Sequence, residues 1–219
     1  MIVVVGLAFE ARIAAGPGMS VICSGDGLNL SAAVTRAITP DCGGLVSFGV
    51  AGGLDPHLRP GTCVVASAIV SGNSRMATDH HWSQQLIRTI PGAVYGILAG
   101  VRAPVAHPSA KRALYEKTGA IAVDMESHVV ANVAAAHGLP MAAIRVITDP
   151  AMRALPEAVL AAMRPDGTTS ITALIRSLMK RPQELPALVQ TALDARAARS
   201  ALLRGRQLLG PGLGLPNFG

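Results

Sequence analysis

Short apolar runs bounded by glycine alternate along the chain with segments of helical spacing, and this alternation constrains the fold most. The runs typical of buried strands are MIVVVG, MSVICSG, GGLVSFGVAGG, TCVVASAIV, AVYGILAG, AIAVDM and PMAAIRVITD. Apolar residues recur at helical spacing in LNLSAAVTRAI, SAKRALYEKTG and ESHVVANVAAAHG, the last two ending at glycine. Strands apolar on both faces that alternate with helices predict an α/β fold, with a mixed, mostly parallel sheet between two helical layers.

The chain changes character after Asp149. The segments PAMRALPEAVLAAMRPDG and ITALIRSLMKRPQELPALVQTALDARAARSALLRGRQLL look helical, and no strand signal follows them. A length of 219 residues suits one core rather than two. We therefore expect a main α/β domain over residues 1–180 and a helical extension over 181–219, packed on the same domain and ending in a loose tail, GPGLGLPNFG.

The composition predicts the cellular compartment of the protein. Half of the residues are hydrophobic, yet no run is long and apolar enough to cross a bilayer. Glu10 and Arg12 interrupt the opening too early for a signal peptide, so we expect a cytoplasmic protein. The cysteines Cys23, Cys42 and Cys63 lack CxxC spacing and indicate small core residues, so no disulfide, metal or resident cofactor is expected.

The formal net charge is +6, with much of the excess in MKR and DARAARSALLRGR. Aromatic residues make up only 3% of the chain and no recognition motif accompanies the basic residues, which argues against nucleic acid. The stretch SALLRGRQLLGPGLGLPNF favours peripheral membrane contact, because each cationic side chain gains about 1 kcal/mol near anionic lipid. The alternative is an ordinary helix packed on the domain or at a subunit interface.

The motif FGVAGGLDPHLRPGTCVV opens a strand into Gly49, Gly52 and Gly53. Glycine permits close approach, so backbone N–H groups here could meet an anion or a sugar hydroxyl. The alternative is a tight turn that needs glycine for geometry alone.

Two carboxylates, Asp124 and Glu126, lie in AVDMES, at the junction between a predicted strand and the helix that follows it. At alternate positions of an extended segment they would point to the same side, and a buried ionised carboxylate must be hydrogen-bonded or paired. A cis-diol offers two donors for one carboxylate. The alternative is that Glu126 caps the following helix.

Two further acidic residues follow strands. Asp149 ends the apolar run RVITD, where α/β sheets usually place functional groups, and could act as a general acid toward a leaving base. It could equally cap a helix after Pro150. Glu10 follows the first strand and could orient a nucleophile or lie on the surface of the first helix.

These motifs, taken in order from Met1 to Asp149, resemble the nucleoside phosphorylase and nucleosidase family, near its methylthioadenosine/S-adenosylhomocysteine nucleosidases. The resemblance implies cleavage of an N-glycosidic bond by a homo-oligomer, a dimer or larger. It also implies that Met125 and Glu126 bind the ribose, with Asp124 where the nucleosidases carry glutamate. Gly52 and Gly53 lie in the corresponding glycine loop.

The resemblance assigns the remaining roles at the base and the nucleophile. It implies that Asp149 protonates the purine at N7, with Thr148 in the place of the family's serine. Glu10 corresponds to the glutamate that activates water in the hydrolases. Val105 and Ala106 should lie in the segment that contacts the purine through backbone groups.

One departure concerns phosphate. Val50 stands where the family often has serine or threonine, and no arginine clearly matches those that hold phosphate in the phosphorylases; Arg36, Arg59 and Arg75 are candidates. Water and inorganic phosphate, the latter as a co-substrate, therefore both remain open as nucleophile.

The segments VGLAFEARIA, SFGVAGGLDP and ITDPAMRALPEA resemble the hopanoid-associated phosphorylases, a branch of the same family. That branch implies adenosylhopane as substrate, an adenine nucleoside with an apolar tail, cleaved to adenine and a ribosyl- or phosphoribosyl-hopane. The alternatives are a methylthioadenosine/S-adenosylhomocysteine nucleosidase, a non-catalytic nucleoside-binding protein, and a membrane-associated structural partner of lipid-synthesis enzymes.

Overall fold

The computed structural model describes residues 1–23, 27–162 and 170–216. Its strands are β1 Ile2–Val5, β2 Ser20–Cys23, β3 Leu45–Gly53, β4 Cys63–Ser71, β5 Ser74–Ala77, β6 Val94–Gly100, β7 Ala122–Asp124 and β8 Met141–Asp149. Its helices are α1 Ala8–Ala14, α2 Gly27–Ala37, α3 His80–Thr89, α4 Pro108–Thr118, α5 Ser127–His137, α6 Glu157–Ala162, α7 Ile171–Lys180 and α8 Leu185–Leu208. A short 3₁₀ turn, Pro182–Glu184, joins the last two helices.

The strands form one eight-stranded mixed sheet. Parallel pairs join β1 to β2 and β3, β3 to β8, β4 to β6, and β6 to β7. Antiparallel pairs join β3 to β7, β4 to β5, and β4 to β8. The path β3–β8–β4–β6–β7 therefore returns to β3, so these strands close a ring of pairings from which β1 and β2 extend. β3 takes part in three pairings, with a register shift between Ala51 and Gly52.

Two hydrophobic cores lie on opposite faces of this sheet. In β1, Ile2 and Val4 pack in one core with α2 and α5, whereas Val3 and Val5 pack in the other with α1, α3 and α8. Alternate strand residues point to opposite faces, so an unbroken apolar run is what a doubly covered strand requires. The predicted α/β fold with helices on both faces of a mixed sheet is confirmed.

Helix ends follow the sequence signals. Gly119 and Gly138 adopt the left-handed conformation that ends α4 and α5, as predicted, and their N–H groups bond back to the last turn. Two elements were not predicted: the edge strand β5, which pairs with β4 through a short hairpin, and α3, which Asp79 caps through the N–H of Trp82.

The segment after Asp149 differs from the prediction. Residues 153–156 have no regular structure, and the helix begins only at Glu157. The carbonyls of Pro150 and Arg153 bond to the ammonium of Lys111 on α4, which satisfies them outside a helix. The end of the predicted helix, 163–167, lies outside the described residues.

The C-terminal stretch up to Pro216 packs on the domain, so our prediction of a loose tail is wrong there. Leu209 and Leu213 are buried, and the indole Nε1 of Trp82 donates to the Leu213 carbonyl at 3.0 Å. The apolar side chains of the tail explain this packing, because they are buried in the same hydrophobic core as Trp82 and Leu86 of α3. Residues 217–219 lie outside the description, and the division at residue 180 stays a prediction. Among the described residues, no helix combines the length and apolar character of a membrane span.

Candidate active site

Three glycines make room for the acidic side chains predicted to be functional. A Cβ on Gly49 would collide with Glu10 Oε1 and lie 2.7 Å from Arg145 Nη1. One on Gly52 would lie 3.1 Å from Asp149 Oδ2, and one on Gly6 would lie 2.7 Å from Glu126 Oε1. The glycines of β3 therefore leave space beside the sheet that carboxylate side chains of the same chain occupy.

Glu10 is buried, which excludes the surface alternative. Its Oε2 accepts hydrogen bonds from the N–H groups of Gly6 at 2.9 Å and Leu7 at 2.8 Å, and its Oε1 accepts from Val50 at 2.7 Å. Burial raises the pKa of Glu10, against the lowering effect of Arg145 and the three N–H groups. A fixed carboxylate of raised pKa suits a general base near neutral pH.

Asp124 and Glu126 converge on one arginine. Arg145 Nη2 lies 2.5 Å from Asp124 Oδ2 and 3.1 Å from Glu126 Oε2, and it donates to Ser47 Oγ at 2.6 Å. Ser127 Oγ donates to Ser47 Oγ at 3.0 Å and also contacts Asp124 Oδ2. The two carboxylates therefore face the same side, as predicted, although Glu126 has helical rather than extended backbone angles.

The charges around Arg145 do not balance. Burial raises the pKa of Glu126 to about 7; Arg145 opposes this rise, while Asp124 and Glu10 add to it by repulsion. Burial disfavours the charge of Arg145, but Asp124, Glu126 and Glu10 outweigh it and raise the pKa of the guanidinium. The Glu126 carboxylate is consequently a hydrogen-bond acceptor whose charge changes near neutral pH.

The cap of α5 comes from Asp124 rather than Glu126. The backbone N–H of Ser127 lies 3.3 Å from both Asp124 carboxylate oxygens, whereas the Glu126 side chain makes no capping bond. The Glu126 side chain therefore contacts Arg145 and fills the space beside Gly6. The half-buried Met125 lies between the two acidic residues in the sequence.

Asp149 ends β8 and has a cation of its own. Lys111 Nζ donates to Asp149 Oδ2 at 2.6 Å, and Thr148 Oγ1 donates to Asp149 Oδ1 at 3.1 Å. No helix begins directly after Pro150, so the capping alternative fails. Gly53 also lies here, since a Cβ on it would be 3.4 Å from the Asp149 carbonyl oxygen.

Val105 and Ala106 lie beside the segment that follows Asp149. The carbonyl of Ala106 accepts from the N–H of Leu155 at 2.9 Å, and Val105 packs against the small apolar cluster of Leu54, Ala99, Ala120 and Val123. The predicted residues therefore come from separate parts of the chain and lie toward the end of the sheet where the parallel strands β1, β3 and β8 finish and the antiparallel β7 begins. Along β3, Gly49 and Gly52 are three residues apart, or about 10 Å, which sets the spacing between the Glu10 and Asp149 ends.

Sequence reasoning missed Arg145 and Lys111. A signal existed for Arg145, since one arginine inside the apolar run MAAIRVITD needs a buried partner, and the acidic pair needed a cation. The arginines we considered instead, Arg36, Arg59 and Arg75, are all exposed.

The arrangement offers hydrogen-bond acceptors at one end and a paired proton donor at the other. Glu126 and Glu10 can accept from hydroxyl groups or water, and Asp149 can exchange a proton with Lys111 or with a base placed beside Gly52. These are the requirements for breaking a bond between a sugar and a nitrogen base.

Comparison with solved structures finds proteins of similar fold. The methylthioadenosine/S-adenosylhomocysteine nucleosidase of Helicobacter pylori, solved with butyl-thio-DADMe-Immucillin-A, has a TM-score of 0.65 and 16% identity, covering 94% of this chain and 97% of that chain. The Neisseria meningitidis enzyme with methylthio-immucillin-A has a TM-score of 0.65 and 17% identity, covering 94% and 96%. The S. pneumoniae enzyme with MT-ImmA has a TM-score of 0.66 and 15% identity, covering 95% and 98%.

At such identities these structures establish a shared fold. No curated protein sequence matches the chain significantly. The family model described as the phosphorylase superfamily matches residues 5–178, well over half of the chain. The chain therefore belongs to the phosphorylase superfamily, as the order of its motifs predicted.

Proposed function

We propose that this protein cleaves the N-glycosidic bond of an adenine nucleoside. The observation that carries the proposal is that Glu10, Glu126 and Asp149 each lie against a glycine in the second half of β3 or just after β1. Solved structures of similar fold include nucleosidases whose names specify adenine nucleosides, which supports adenine as the base. A purely binding protein would have no need of a buried carboxylate at each end of the bond.

The roles follow from the charges that develop as the bond breaks. The C1′–N9 electron pair moves to the purine, which leaves positive charge on the ribose and negative charge on the base. Glu126, with Met125 and Asp124, holds the ribose hydroxyls, and Asp149 donates a proton to N7. Val105 and Ala106 line the base, while Gly52, Gly53 and Thr148 shape the wall beside Asp149.

We propose water as the nucleophile, with Glu10 taking its proton as it bonds to C1′. Arg145, the buried cation closest to Glu10, is already engaged by Asp124 and Glu126, and three carboxylates there would repel phosphate. Adenine release should proceed in phosphate-free buffer and leave a hydroxyl group on C1′ of the ribosyl product. A requirement for phosphate, with a 1-phosphate of that sugar as product, would make phosphate the co-substrate and overturn this assignment.

The ribose clamp has its own test. Replacing the 2′-hydroxyl by hydrogen leaves Glu126 without one of its donors, so a 2′-deoxynucleoside should be cleaved at least about tenfold less efficiently. Equal kcat/KM for ribo and deoxy substrates would contradict the clamp. The Glu126→Gln variant should narrow the difference between the two.

For the 5′ substituent we propose the apolar tail of adenosylhopane, on the resemblance of ITDPAMRALPEA to the hopanoid-associated branch. Met152, three residues after Asp149, is 77% exposed and gives this edge an apolar side chain with no covering partner among the described residues. Purified protein should release adenine from adenosylhopane with a higher kcat/KM than from methylthioadenosine. The reverse order would favour the methylthioadenosine/S-adenosylhomocysteine nucleosidase alternative.

We also propose that the protein works in the cytoplasm with peripheral membrane contact, at α7 rather than at the tail. Leu202, Leu209 and Leu213 are buried, which leaves Leu203 and Leu208 as the exposed large apolar side chains in the described part of the tail. On α7, Ile171, Ile175 and Met179 are exposed at a spacing of four residues, and Arg176 and Lys180 are exposed beside them.

Co-sedimentation with anionic liposomes tests this surface. The double variant Ile175→Glu/Met179→Glu should lose binding. Unchanged binding by the double variant would contradict the role of α7. Conversion of a dimer to a monomer, in a protein that binds no liposomes, would instead identify α7 as the interface of the proposed homo-oligomer.

A further inference from the structure

Lys111 occupies an unusual position for a lysine. Its side chain is fully buried, although Lys117 on the same helix is exposed. Its Nζ lies 2.6 Å from Asp149 Oδ2, 3.0 Å from the Pro150 carbonyl oxygen and 3.1 Å from the Arg153 carbonyl oxygen. An ammonium group has three N–H donors, and each has an acceptor here.

A buried lysine is costly unless its charge is compensated, because desolvation of an ammonium exceeds the gain from neutral partners. One carboxylate compensates it here, and that carboxylate is the one we propose as general acid. The other two acceptors belong to the backbone that directly follows Asp149. Lys111 therefore fixes both the Asp149 carboxylate and the segment that carries it.

The same atomic positions suit two places for one proton. With the proton on Nζ, Lys111 donates three hydrogen bonds and Asp149 is a carboxylate. With the proton on Asp149, the neutral amine still donates to the carbonyls of Pro150 and Arg153, and its lone pair accepts from the acid. The proton can cross the 2.6 Å gap without rearrangement of either side chain.

We propose that Lys111 is a positioning residue that supplies Asp149 with the proton passed to the departing base. The inference rests on the proposed function. As the C1′–N9 bond breaks and its electron pair enters the purine, a proton moves from Lys111 to Asp149 and from Asp149 to N7. Water bonds to C1′ and gives its proton to Glu10. Lys111 ends neutral and regains a proton from solvent after the products leave, while Glu10 releases one.

The test compares two leaving groups in the Lys111→Met variant. Adenine needs a proton to leave, whereas 4-nitrophenolate leaves 4-nitrophenyl riboside as a stable anion. The variant should lose about 100-fold or more in kcat on the adenine nucleoside. On 4-nitrophenyl riboside it should stay within about threefold of wild type, since no proton is required. Lys117→Met, on the exposed side of the same helix, should match wild type on both substrates.

Equal losses on the two substrates would show a structural role only and overturn the inference, as would full activity on the nucleoside. A second pair of variants covers failure of Lys111→Met to fold. Asp149→Asn/Lys111→Met buries no lone charge, and it should turn over the nucleoside no more slowly than Asp149→Asn alone. A further tenfold loss in the double variant would contradict action through Asp149. Absence of adenine release by wild type would instead defeat the proposed function.

Discussion

Around Arg145, beside the middle of β3, three carboxylates face one guanidinium, whereas beside Gly52 at the end of β3 one carboxylate faces one ammonium. The first region carries an excess of negative charge. Burial, together with repulsion from Asp124 and Glu10, raises the pKa of Glu126 to about 7. The second is balanced, with Asp149 and Lys111 in direct contact. The negative charge of the Arg145 cluster would stabilise positive charge that develops on a ribose. The neutral Asp149–Lys111 pair can instead donate a proton. The difference separates the sugar end of the site from the base end.

The largest effect is expected at the balanced end. Asp149→Asn keeps the shape of the side chain but removes the proton donor, so kcat on an adenine nucleoside should fall by about 10³-fold. Asp41→Asn, at an exposed position, is the matched control and should leave kcat unchanged. A variant with circular dichroism like wild type and turnover within a factor of three would remove Asp149 from the mechanism.

The acidic end should respond mainly in stability. Arg145→Met leaves Asp124, Glu126 and Glu10 without their shared cation, which should lower the free energy of unfolding by about 3–5 kcal/mol. Urea titration measures this loss, and it should be smaller at pH 5 than at pH 8, because protonation of Glu126 removes negative charge. Arg36→Met, at an exposed position, serves as control. A loss under about 1 kcal/mol at pH 8 would mean that the cluster is not held by Arg145.

The pH dependence of stability isolates Glu126. Its pKa is raised from 4.5 to about 7 by burial, so the folded state binds more protons between these values. The stabilisation is complete below pH 4.5 and is lost as the pH rises through 7. Glu126→Gln mimics the neutral acid, so it should gain up to about 3 kcal/mol in unfolding free energy relative to wild type between pH 5 and pH 8. A difference that does not vary with pH would show that Glu126 ionises freely.

The smallest effect concerns the wall beside Asp149. Gly52→Ala places a Cβ 3.1 Å from Asp149 Oδ2, so the carboxylate must shift by a few tenths of an ångström and kcat should fall by about tenfold. Gly205→Ala, in α8 with nothing within 4 Å of the new Cβ, should keep full activity and gain about 1 kcal/mol from helix propensity. Equal kcat in the two variants would mean that the position of Asp149 is not critical.

The fold was predictable because a strand covered on both faces is apolar along its length, as β1 is throughout and β8 is apart from Arg145 and its last two residues. The edge strand β5, SRMA, gave no such signal, since one edge of the sheet lets polar residues stay exposed. The packing of the tail was missed because its core partners Trp82 and Leu86 lie far away in sequence.

The acidic residues of the site were predictable from their places after strands, but their cations were not. Lys111 belongs to SAKRALYEKT, which is charged throughout and looks like a surface helix. Its helical spacing with Leu114 and Tyr115 was the one sign that it faces inward. Which carboxylate a buried cation meets depends on tertiary packing, and residues 111 and 149 come together only through the fold.

Adenine release from a nucleoside, followed by chromatography with wild type and Asp149→Asn at equal concentration in phosphate-free buffer, tests the central claim most directly. We predict one adenine released for each nucleoside consumed by wild type, and about 10³-fold slower release by the variant. Absence of adenine with wild type, or equal release by both proteins, would contradict the account.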